Sequence, residues 1–281
     1  MIIFKYVKDL KEYIAQQQEC IIGFVPTMGA LHQGHISLIE QAKTETTLVV
    51  CSIFVNPTQF NDKKDFEKYP VSTAGDIEML ISAGCDVLFL PSVGEMYPGG
   101  TDKVKGYDFG YLETILEGAH RPGHFHGVGQ VVGRLLEIVG PQYLYLGQKD
   151  FQQCMVITKL VELMGLNDLR VVICPTIREA DGLAMSSRNR RLTELQRVRA
   201  GLIYQCLVSI ESKQADASFD IVKKECEELM TAKGFAVEYI ALADANTLQL
   251  FSDYRPGTHM VALIAAKLGD IRLIDNLLLK S

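Results

Sequence analysis

Two histidines three residues apart, His32 and His35, follow a glycine-containing loop near the start of the chain. The residues before that loop, 21–25, are apolar and rich in β-branched side chains, which predicts a buried parallel strand. After Gly34 the apolar residues recur at helical spacing, so we expect strand, loop and helix in that order. Such a loop aims free backbone N–H groups and a helix dipole at an anion. If the first helical turn includes both histidines, the imidazoles at i and i+3 share one face.

Imidazoles beside a helix N-terminus can donate hydrogen bonds to phosphate oxygens and stabilise charge that builds on a transferring phosphoryl group. The loop 27–34 is neither a Walker-type phosphate loop nor a GxGxxG dinucleotide loop. Taken alone, the stretch is equally compatible with a zinc-binding pair or with two ordinary surface histidines.

Polar side chains also follow two later predicted strands. Asn56 and Gln59 come after the strand predicted at 47–55, and Lys149 comes after a strand that ends at Gly147. Ligands of open parallel sheets bind beyond the carboxyl ends of the strands, so these positions suit contacts with a substrate. We expect a helix to begin near Lys149, which would place Gln153 on the same helical face. Without further information, a glutamine that fills a loop and a solvated helix start are the more common interpretations.

The segment 181–189 lacks apolar periodicity and carries Ser186, Ser187 and Arg188. Hydroxyls and a guanidinium suit the outer phosphates of a nucleoside triphosphate, although an ordinary polar connector has the same composition. Three histidines at 120, 124 and 126 suggest a metal site, but Pro122 and Gly123 interrupt any regular ligand spacing. We therefore expect no metal there.

Composition excludes several classes of protein. The chain has 281 residues, 48% of them hydrophobic, and a formal net charge of −6, which argues against non-specific nucleic-acid binding. No run of 18 apolar residues predicts a membrane span, and the N-terminus does not resemble a signal peptide. Seven cysteines without a CxxC pair indicate reduced thiols in a cytoplasmic protein, with no disulfide framework or zinc site.

Strands and helices alternate up to about residue 174, which predicts a doubly wound parallel sheet. Beyond residue 192 the pattern changes to two helices followed by three strands, the last two forming a hairpin. We therefore expect an α/β chain with a Rossmann-like domain at 1–176 and a smaller α+β lid domain at 177–281. The first domain would bind nucleotide. The segment 93–106 is long enough to be a lid or an interface loop.

Five blocks of sequence, in order, resemble the pantoate–β-alanine ligase family of the HxGH nucleotidyltransferase superfamily. They are PTMGALHQGH (26–35), SIFVNPTQF (52–60), RPGHF (121–125), GQKDFQQ (147–153) and DGLAMSSRN (181–189). A closing LGDIRLIDN (268–276) also fits, so the resemblance extends over nearly the whole chain.

The resemblance implies an ATP-dependent condensation of (R)-pantoate with β-alanine through a pantoyl adenylate, with release of AMP and pyrophosphate. It implies that His35 and Lys149 stabilise transition-state charge and that His32 positions phosphate. Pantoate or β-alanine would contact Gln59, Gln153, Asn56 and Arg121. By this resemblance, the domain at 1–176 would bind pantoate as well as nucleotide. The remaining ATP contacts would come from Met28, Gly29, Gly34, Gly147, Asp150, Ile177, Met185, Ser186, Ser187 and Arg188.

Mg²⁺ and a homodimer are expected from the resemblance, which leaves the metal ligands unassigned. Two alternatives stay open at this point. One keeps the site but transfers AMP to a phosphate ester, as other HxGH enzymes do. The other is a nucleotide-binding regulatory module or a tRNA-binding remnant without turnover.

Overall fold

The computed structural model describes residues 1–61, 63–101 and 104–280, without the side chains of Lys63 and Lys64. The chain divides into two compact units: Met1–Gly147 with Gln152–Pro175, and Gln148–Phe151 with Thr176–Ser281. The loop predicted at 93–106 includes Asp102 and Lys103, which lie outside the described residues.

The first unit contains a six-stranded parallel sheet. Its strands are β1 (Ile2–Phe4), β2 (Ile22–Thr27), β3 (Leu48–Ile53), β4 (Val87–Phe89), β5 (Tyr143–Gly147) and β6 (Arg170–Cys174). They lie in the order β1-β4-β3-β2-β5-β6, so the chain winds outward in one direction after β2 and in the other direction after β5. The switch point between β2 and β5 is where open α/β sheets bind their ligands.

Helices connect and cover these strands. They are α1 (Val7–Ala15), α2 (Gln33–Glu45), α3 (Lys63–Glu67), α4 (Thr73–Ser82), α5 (Val93–Met96), α6 (Leu116–His120), α7 (His124–Val139) and α8 (Phe151–Leu163). None of the helices in the described part of the chain is long and apolar enough to cross a bilayer.

The strands are buried because both sheet faces are covered. Successive residues point to opposite faces, so Phe24 packs in one apolar cluster and Val25 in the other. All six residues of β3 are buried, as expected for a central strand of a parallel sheet. This explains why the strands appear in the sequence as continuous apolar runs.

The second unit has a four-stranded antiparallel sheet in the order β10-β9-β7-β8. Its elements are α9 (Glu194–Ala200), α10 (Leu202–Ser212), α11 (Phe219–Ala232), β7 (Phe235–Asp244), β8 (Leu250–Phe251), β9 (Met260–Leu268) and β10 (Ile271–Leu278). The core joins α10 and α11 to the sheet through residues such as Leu207, Val222 and Ile264, all fully buried. The β9–β10 turn contains Gly269, whose φ of 60° is a left-handed conformation that glycine adopts without strain.

The predicted fold class is confirmed, with differences in detail. The first of the two helices predicted beyond residue 192 is itself two helices that meet at Gly201, and the antiparallel sheet has a fourth strand, β8. The strand β1 was not predicted, because its three residues are too few to give a periodic signal. The boundary predicted at 176/177 and the lid role of 177–281 stay predictions, and the residues 148–151 group with the second unit.

Candidate active site

The loop after β2 is fixed by buried hydrogen bonds at the sheet's switch point. Two backbone N–H groups, those of Ala30 and Leu31, donate to Oδ2 and Oδ1 of Asp76, each at 2.8 Å. Asp76 lies on α4, and only 2% of it is exposed. Gly29 (φ 78°) and Ala30 (φ 49°) both take left-handed conformations, which for alanine costs free energy. The carboxylate therefore holds a strained loop in place.

The two histidines begin α2 in the manner of a capping box. His32 is the N-cap, and its Nδ1 accepts a hydrogen bond from the Gly34 N–H at 3.2 Å. Nδ1 of His35 accepts from the His32 N–H at 3.4 Å. In a neutral imidazole whose Nδ1 is an acceptor, Nε2 carries the proton. The hydrogen bonds therefore assign both rings the same tautomer, with an Nε2–H donor each.

The predicted shared face is confirmed, since the ring centroids of His32 and His35 are 4.1 Å apart. The two rings and the dipole of α2 together can direct hydrogen-bond donors and positive potential at an anion. Charge that develops on a phosphoryl oxygen is the kind of charge that this arrangement can stabilise.

Asn56 and Gln59 follow β3 in a short 3₁₀ turn, Pro57–Gln59. Asn56 is completely buried: its Oδ1 accepts from the Tyr97 hydroxyl at 2.8 Å, and its Nδ2 lies 3.3 Å from Gln59 Oε1. Gln59 Nε2 is 3.1 Å from Met28 Sδ, so the turn after β3 contacts the loop after β2. Asn56 thus orients the amide of Gln59 as well as the turn itself.

A chain of polar contacts connects Arg121 to this turn. Arg121 NH1 lies 3.0 Å from His124 Nε2, and His124 Nδ1 lies 2.8 Å from the Gln59 carbonyl oxygen. Because a carbonyl can only accept, His124 carries its proton on Nδ1 and accepts from Arg121 on Nε2. Glu117, 3.8 Å from Arg121, completes the chain. His124 is thus part of a hydrogen-bond network, and no group of three His, Cys, Asp or Glu side chains that could hold a metal is found among the described residues.

The packing of α7 explains how closely that helix approaches the turn. A Cβ placed on Gly127 would come within 2.5 Å of the Thr58 carbonyl oxygen, so no larger residue fits without movement. Asn56 Nδ2 donates to the Gly127 carbonyl at 3.1 Å. The helix is therefore anchored to the turn where Gly127 allows the two backbones to approach closely.

Gln153 lies in the first turn of α8 in the first unit and is partly exposed. Its neighbour Gln152 is buried and bridges α8 to α6 and to the residues before it, accepting from Glu117 N at 2.9 Å and donating to Leu112 O at 2.7 Å. The prediction that Lys149 and Gln153 share one α-helical face is wrong. Lys149 lies in a 3₁₀ turn, Gln148–Asp150, and α8 begins only at Phe151.

In the second unit, Lys149 and Asp150 are adjacent in that turn, with 3.4 Å between Nζ and Oδ1. The segment 177–185 folds back on itself, with Met185 N donating to Ile177 O at 3.0 Å and Glu179 N donating to Leu183 O at 2.8 Å. It leads into a 3₁₀ turn, Ser187–Arg191. Although the sequence of this loop has no periodicity, its backbone forms a regular reverse turn.

Side chains also hold that segment. Ser186 is the N-cap of the 3₁₀ turn and accepts from the Arg188 N–H at 3.3 Å. Asp181 pairs with Arg197 on α9 at 2.5 Å, and the hydrogen bond from this guanidinium lowers the pKa of Asp181 below its usual value. The turn that carries Ser186–Arg188 is therefore connected to the helices of the second unit.

The candidate residues thus fall into two groups. In the first unit, the ends of β2, β3 and β5 carry Met28, Gly29, His32, Gly34, His35, Asn56, Gln59 and Gly147, and His124 links Arg121 to this group. The second unit carries Lys149, Asp150, Ile177, Met185, Ser186, Ser187 and Arg188. Sequence reasoning missed Asp76 and the role of His124. The signal for Asp76 is an acidic residue in the first turn of a helix of mostly small and apolar residues.

Comparison with known proteins is consistent over the full length of the chain. A family model described as pantoate-beta-alanine ligase matches residues 2–278. A pantothenate synthetase from Cytophaga hutchinsonii is 44% identical over 284 residues, with 99% of both chains covered. One from Porphyromonas gingivalis is 44% identical over 280 residues, again with 99% of both chains covered.

Solved structures agree with the sequence matches. The crystal structure of pantothenate synthetase from Thermus thermophilus is similar with a TM-score of 0.91 and 39% identity, covering 99% of each chain. A pantoate-beta-alanine ligase from Francisella tularensis, complexed with beta-gamma ATP and beta-alanine, gives 0.83 and 38% identity, covering 99% and 97%. The chain therefore belongs to the pantoate–β-alanine ligase family, whose enzymes condense pantoate with β-alanine.

Proposed function

We propose that this chain activates (R)-pantoate with ATP to give pantoyl adenylate and pyrophosphate. The amine of β-alanine then attacks the acyl carbon and expels AMP, which yields pantothenate. The observation that carries the proposal is the capping box of α2, which holds two imidazoles side by side at the N-terminus of the helix, where the helix dipole favours an anion. The Francisella tularensis ligase complexed with beta-gamma ATP and beta-alanine supports the same co-substrates.

The main barrier to adenylate formation is electrostatic, because a carboxylate must approach a polyanionic triphosphate. Like charges about 4 Å apart repel by roughly 4 kcal/mol at a protein surface. Donors and cations aimed at the phosphates offset this repulsion, and they accelerate the reaction where their contacts strengthen in the transition state. We assign that role to His35 and Lys149, with His32 positioning the phosphates. Ser186, Ser187 and Arg188 are assigned to the outer phosphates.

The substrate groups are assigned to neutral amides. Gln59, oriented by Asn56, and Gln153 are proposed to hold pantoate, and Arg121 is proposed to help close this part of the site. Amides can pair with the hydroxyls and the carboxylate of pantoate. An acceptor that is itself a phosphate ester would need additional cations, so this pair of glutamines favours carboxyl activation over AMP transfer to a phosphate ester.

The ATP base and ribose are assigned to residues of the two groups described above. Gly147 precedes the turn that contains Lys149, and Asp150 is the last residue of that turn. Ile177 and Met185 hydrogen bond to each other through their main chains. Met28, Gly29 and Gly34 contribute the backbone of the loop that begins α2. This set offers apolar side chains together with backbone donors and acceptors, the two kinds of group that a nucleoside needs.

Mg²⁺ is proposed to accompany ATP. No three His, Cys, Asp or Glu side chains gather as a metal site in 1–61, 63–101 or 104–280, which suits an ion held mainly by the nucleotide's own phosphates. When bound, the ion would neutralise phosphate charge. No protein ligand is assigned to it.

The proposed reaction needs no covalent enzyme intermediate. Burial raises the pKa of Cys85 and of Cys174 to about 11, so both thiols stay protonated near neutral pH. All seven cysteines have free thiols, which supports our proposal of a reducing, cytoplasmic location. A homodimer is proposed from the family resemblance alone.

One assay tests the proposal against its alternatives. The purified chain is incubated with ATP, Mg²⁺, pantoate and β-alanine, and free AMP is measured with each substrate omitted in turn. We expect AMP to accumulate only when both pantoate and β-alanine are present. AMP that remains attached to a product would indicate transfer to another acceptor, and absence of turnover would indicate a binding module.

A further inference from the structure

Two consecutive polar residues in the last strand, Asp275 and Asn276, are each only 2% exposed. They point to opposite faces of β10, because side chains alternate along a strand. Asp275 is on the same face as Ile271 and Leu273, which belong to the core of the second unit. Burying a carboxylate and an amide destabilises the fold unless both are fully hydrogen-bonded. The family resemblance includes both residues in the block 268–276 without giving either a role.

Asn276 uses its whole side-chain amide on the turn that contains Lys149. Nδ2 donates to the carbonyl oxygens of Gln148 and Lys149, at 3.0 and 2.8 Å. Oδ1 accepts from Gln148 Nε2 at 3.1 Å. The amide therefore holds the carbonyl of Lys149 itself and the residue before it.

Asp275 acts on a different segment through Arg178. The two form a bidentate pair, with 2.6 Å from NH1 to Oδ2 and 3.0 Å from NH2 to Oδ1. The same guanidinium donates to Gly182 O at 3.0 Å and to Asn276 O at 3.1 Å. It also lies over the Tyr204 ring, 4.0 Å from the centroid. The Asp275 carboxylate and the Tyr204 ring thus hold the guanidinium of Arg178 in place. Its hydrogen bond to the Gly182 carbonyl in turn holds the reverse turn 177–185.

We infer that Asn276 and Asp275 are positioning residues for the phosphate-directed segments of the second unit. Asn276 sets the backbone beneath Lys149, and Asp275, through Arg178, sets the turn that leads into Ser186–Arg188. Because the two residues are neighbours in β10, this one strand fixes the positions of both segments. This inference rests on the proposed function, which assigns those segments to ATP.

The balance of charge and hydrogen bonding favours positioning over simple packing. Packing alone would favour apolar side chains on β10, because a buried ion pair and a buried amide are costly and sensitive to geometry. The polar pair adds contacts of defined geometry: three hydrogen bonds between Asn276 and residues 148–149, and a bidentate ion pair between Asp275 and Arg178. A displacement of about 1 Å in a catalytic group can cost on the order of 100-fold in rate.

The first test uses Asn276→Ala and the double variant Lys149→Ala/Asn276→Ala in pantoate-dependent exchange of pyrophosphate into ATP. We expect Asn276→Ala to lower kcat by about 10- to 100-fold with a small change in the KM for ATP. The double variant should be no slower than Lys149→Ala, because Asn276 acts through Lys149. Additive losses in the double variant, or normal kcat in Asn276→Ala, would overturn the inference.

A matched control separates positioning from loss of stability. Tyr254→Phe removes a hydrogen bond of 2.8 Å from the Tyr254 hydroxyl to the carbonyl of Ile210. Ile210 lies on α10 of the same unit, so this bond does not involve the segments that contain Lys149 or Ser186. We expect it to lower the free energy of unfolding without changing kcat. Asn276→Asp is a conservative variant that keeps Oδ1 but turns a second oxygen toward two carbonyls, so it should be as slow as Asn276→Ala. Normal kcat in Asn276→Asp would contradict the inference.

Asp275 is tested in the same way with Asp275→Asn, Arg178→Ala and their combination. We expect the KM for ATP to rise about 10-fold in each and no further in the double variant, because both residues hold one turn. Hydrogen exchange of the apo protein tests the contacts independently of any reaction. Asn276→Ala should speed exchange of the amides in 148–151, and Tyr254→Phe should not. An inactive wild type would refute the proposed function alone, whereas unchanged exchange in 148–151 would refute the inference alone.

Discussion

Replacement of Asp76 by asparagine tests whether the loop that precedes the two histidines is held in place from α4. Both carboxylate oxygens accept a backbone N–H at 2.8 Å, from Ala30 and Leu31, and Oδ1 also accepts from the Ser72 hydroxyl at 2.8 Å. Asparagine has one acceptor oxygen, so its NH₂ group must face one of the two N–H donors. One buried N–H is left without an acceptor.

The magnitude follows from the hydrogen bond and from the backbone strain. Loss of a hydrogen bond to a charged group costs about 1.5–3 kcal/mol. Ala30, with φ 49°, holds about 1–2 kcal/mol of strain that the loop can release once the carboxylate no longer fixes it. Because release of strain offsets part of the lost hydrogen bond, we expect Asp76→Asn to lower the free energy of unfolding by about 0.5–2 kcal/mol. As the loop relaxes, the N-cap His32 moves with it, and kcat falls by about 10- to 100-fold.

Denaturant unfolding and pantoate-dependent pyrophosphate exchange measure the two effects separately. Asp86→Asn is the matched control, because Asp86 Oδ2 also accepts a backbone N–H at 2.8 Å, that of Val49, at the amino end of the sheet. It should destabilise the protein while kcat stays within about two-fold of wild type. If Asp76→Asn is destabilised as much as Asp86→Asn but keeps its full kcat, the position of the loop does not depend on Asp76, and the reasoning is refuted.

Three further predictions concern the other groups. His35→Ala and Lys149→Ala should fold normally and lose at least ~100-fold in adenylate formation, measured by pyrophosphate exchange; a near-normal rate in either variant removes that assignment. Gly127→Ala should lower the melting temperature and raise the KM for pantoate, because its Cβ would lie 2.5 Å from a carbonyl oxygen of the turn that ends at Gln59. The pKa of Asp181 is lowered in the folded state, so its ion pair adds stability above the unfolded pKa of about 3.9 and loses it as pH falls further. Since both partners are about one-third exposed, the contribution is under ~1 kcal/mol, and Asp181→Asn should flatten the pH dependence of unfolding below about pH 4.

The sequence was sufficient to predict the parts of the site that are local. The strand before His32, the loop and the start of α2 are adjacent in the chain, and a period-based argument placed both histidines on one helical turn. The helical start predicted near Lys149 is wrong, because three polar residues can form either a 3₁₀ turn or the first turn of an α-helix. It also missed the fourth antiparallel strand, β8, since Leu250–Phe251 has too few residues to show alternation.

The residues that hold the chemistry in place were beyond prediction for a different reason. Asp76 is 46 positions from Ala30, His124 is 65 from Gln59, and Asn276 is 127 from Lys149, so no short window of sequence contains any of the three pairs. In each case a buried side chain satisfies backbone groups of a loop that lacks regular partners of its own. A loop with several unpaired N–H or C=O groups at the end of a parallel strand must find such partners elsewhere, because an unsatisfied buried group is costly. The positioning residues of this fold are therefore found by asking which distant side chain accepts from, or donates to, each loop.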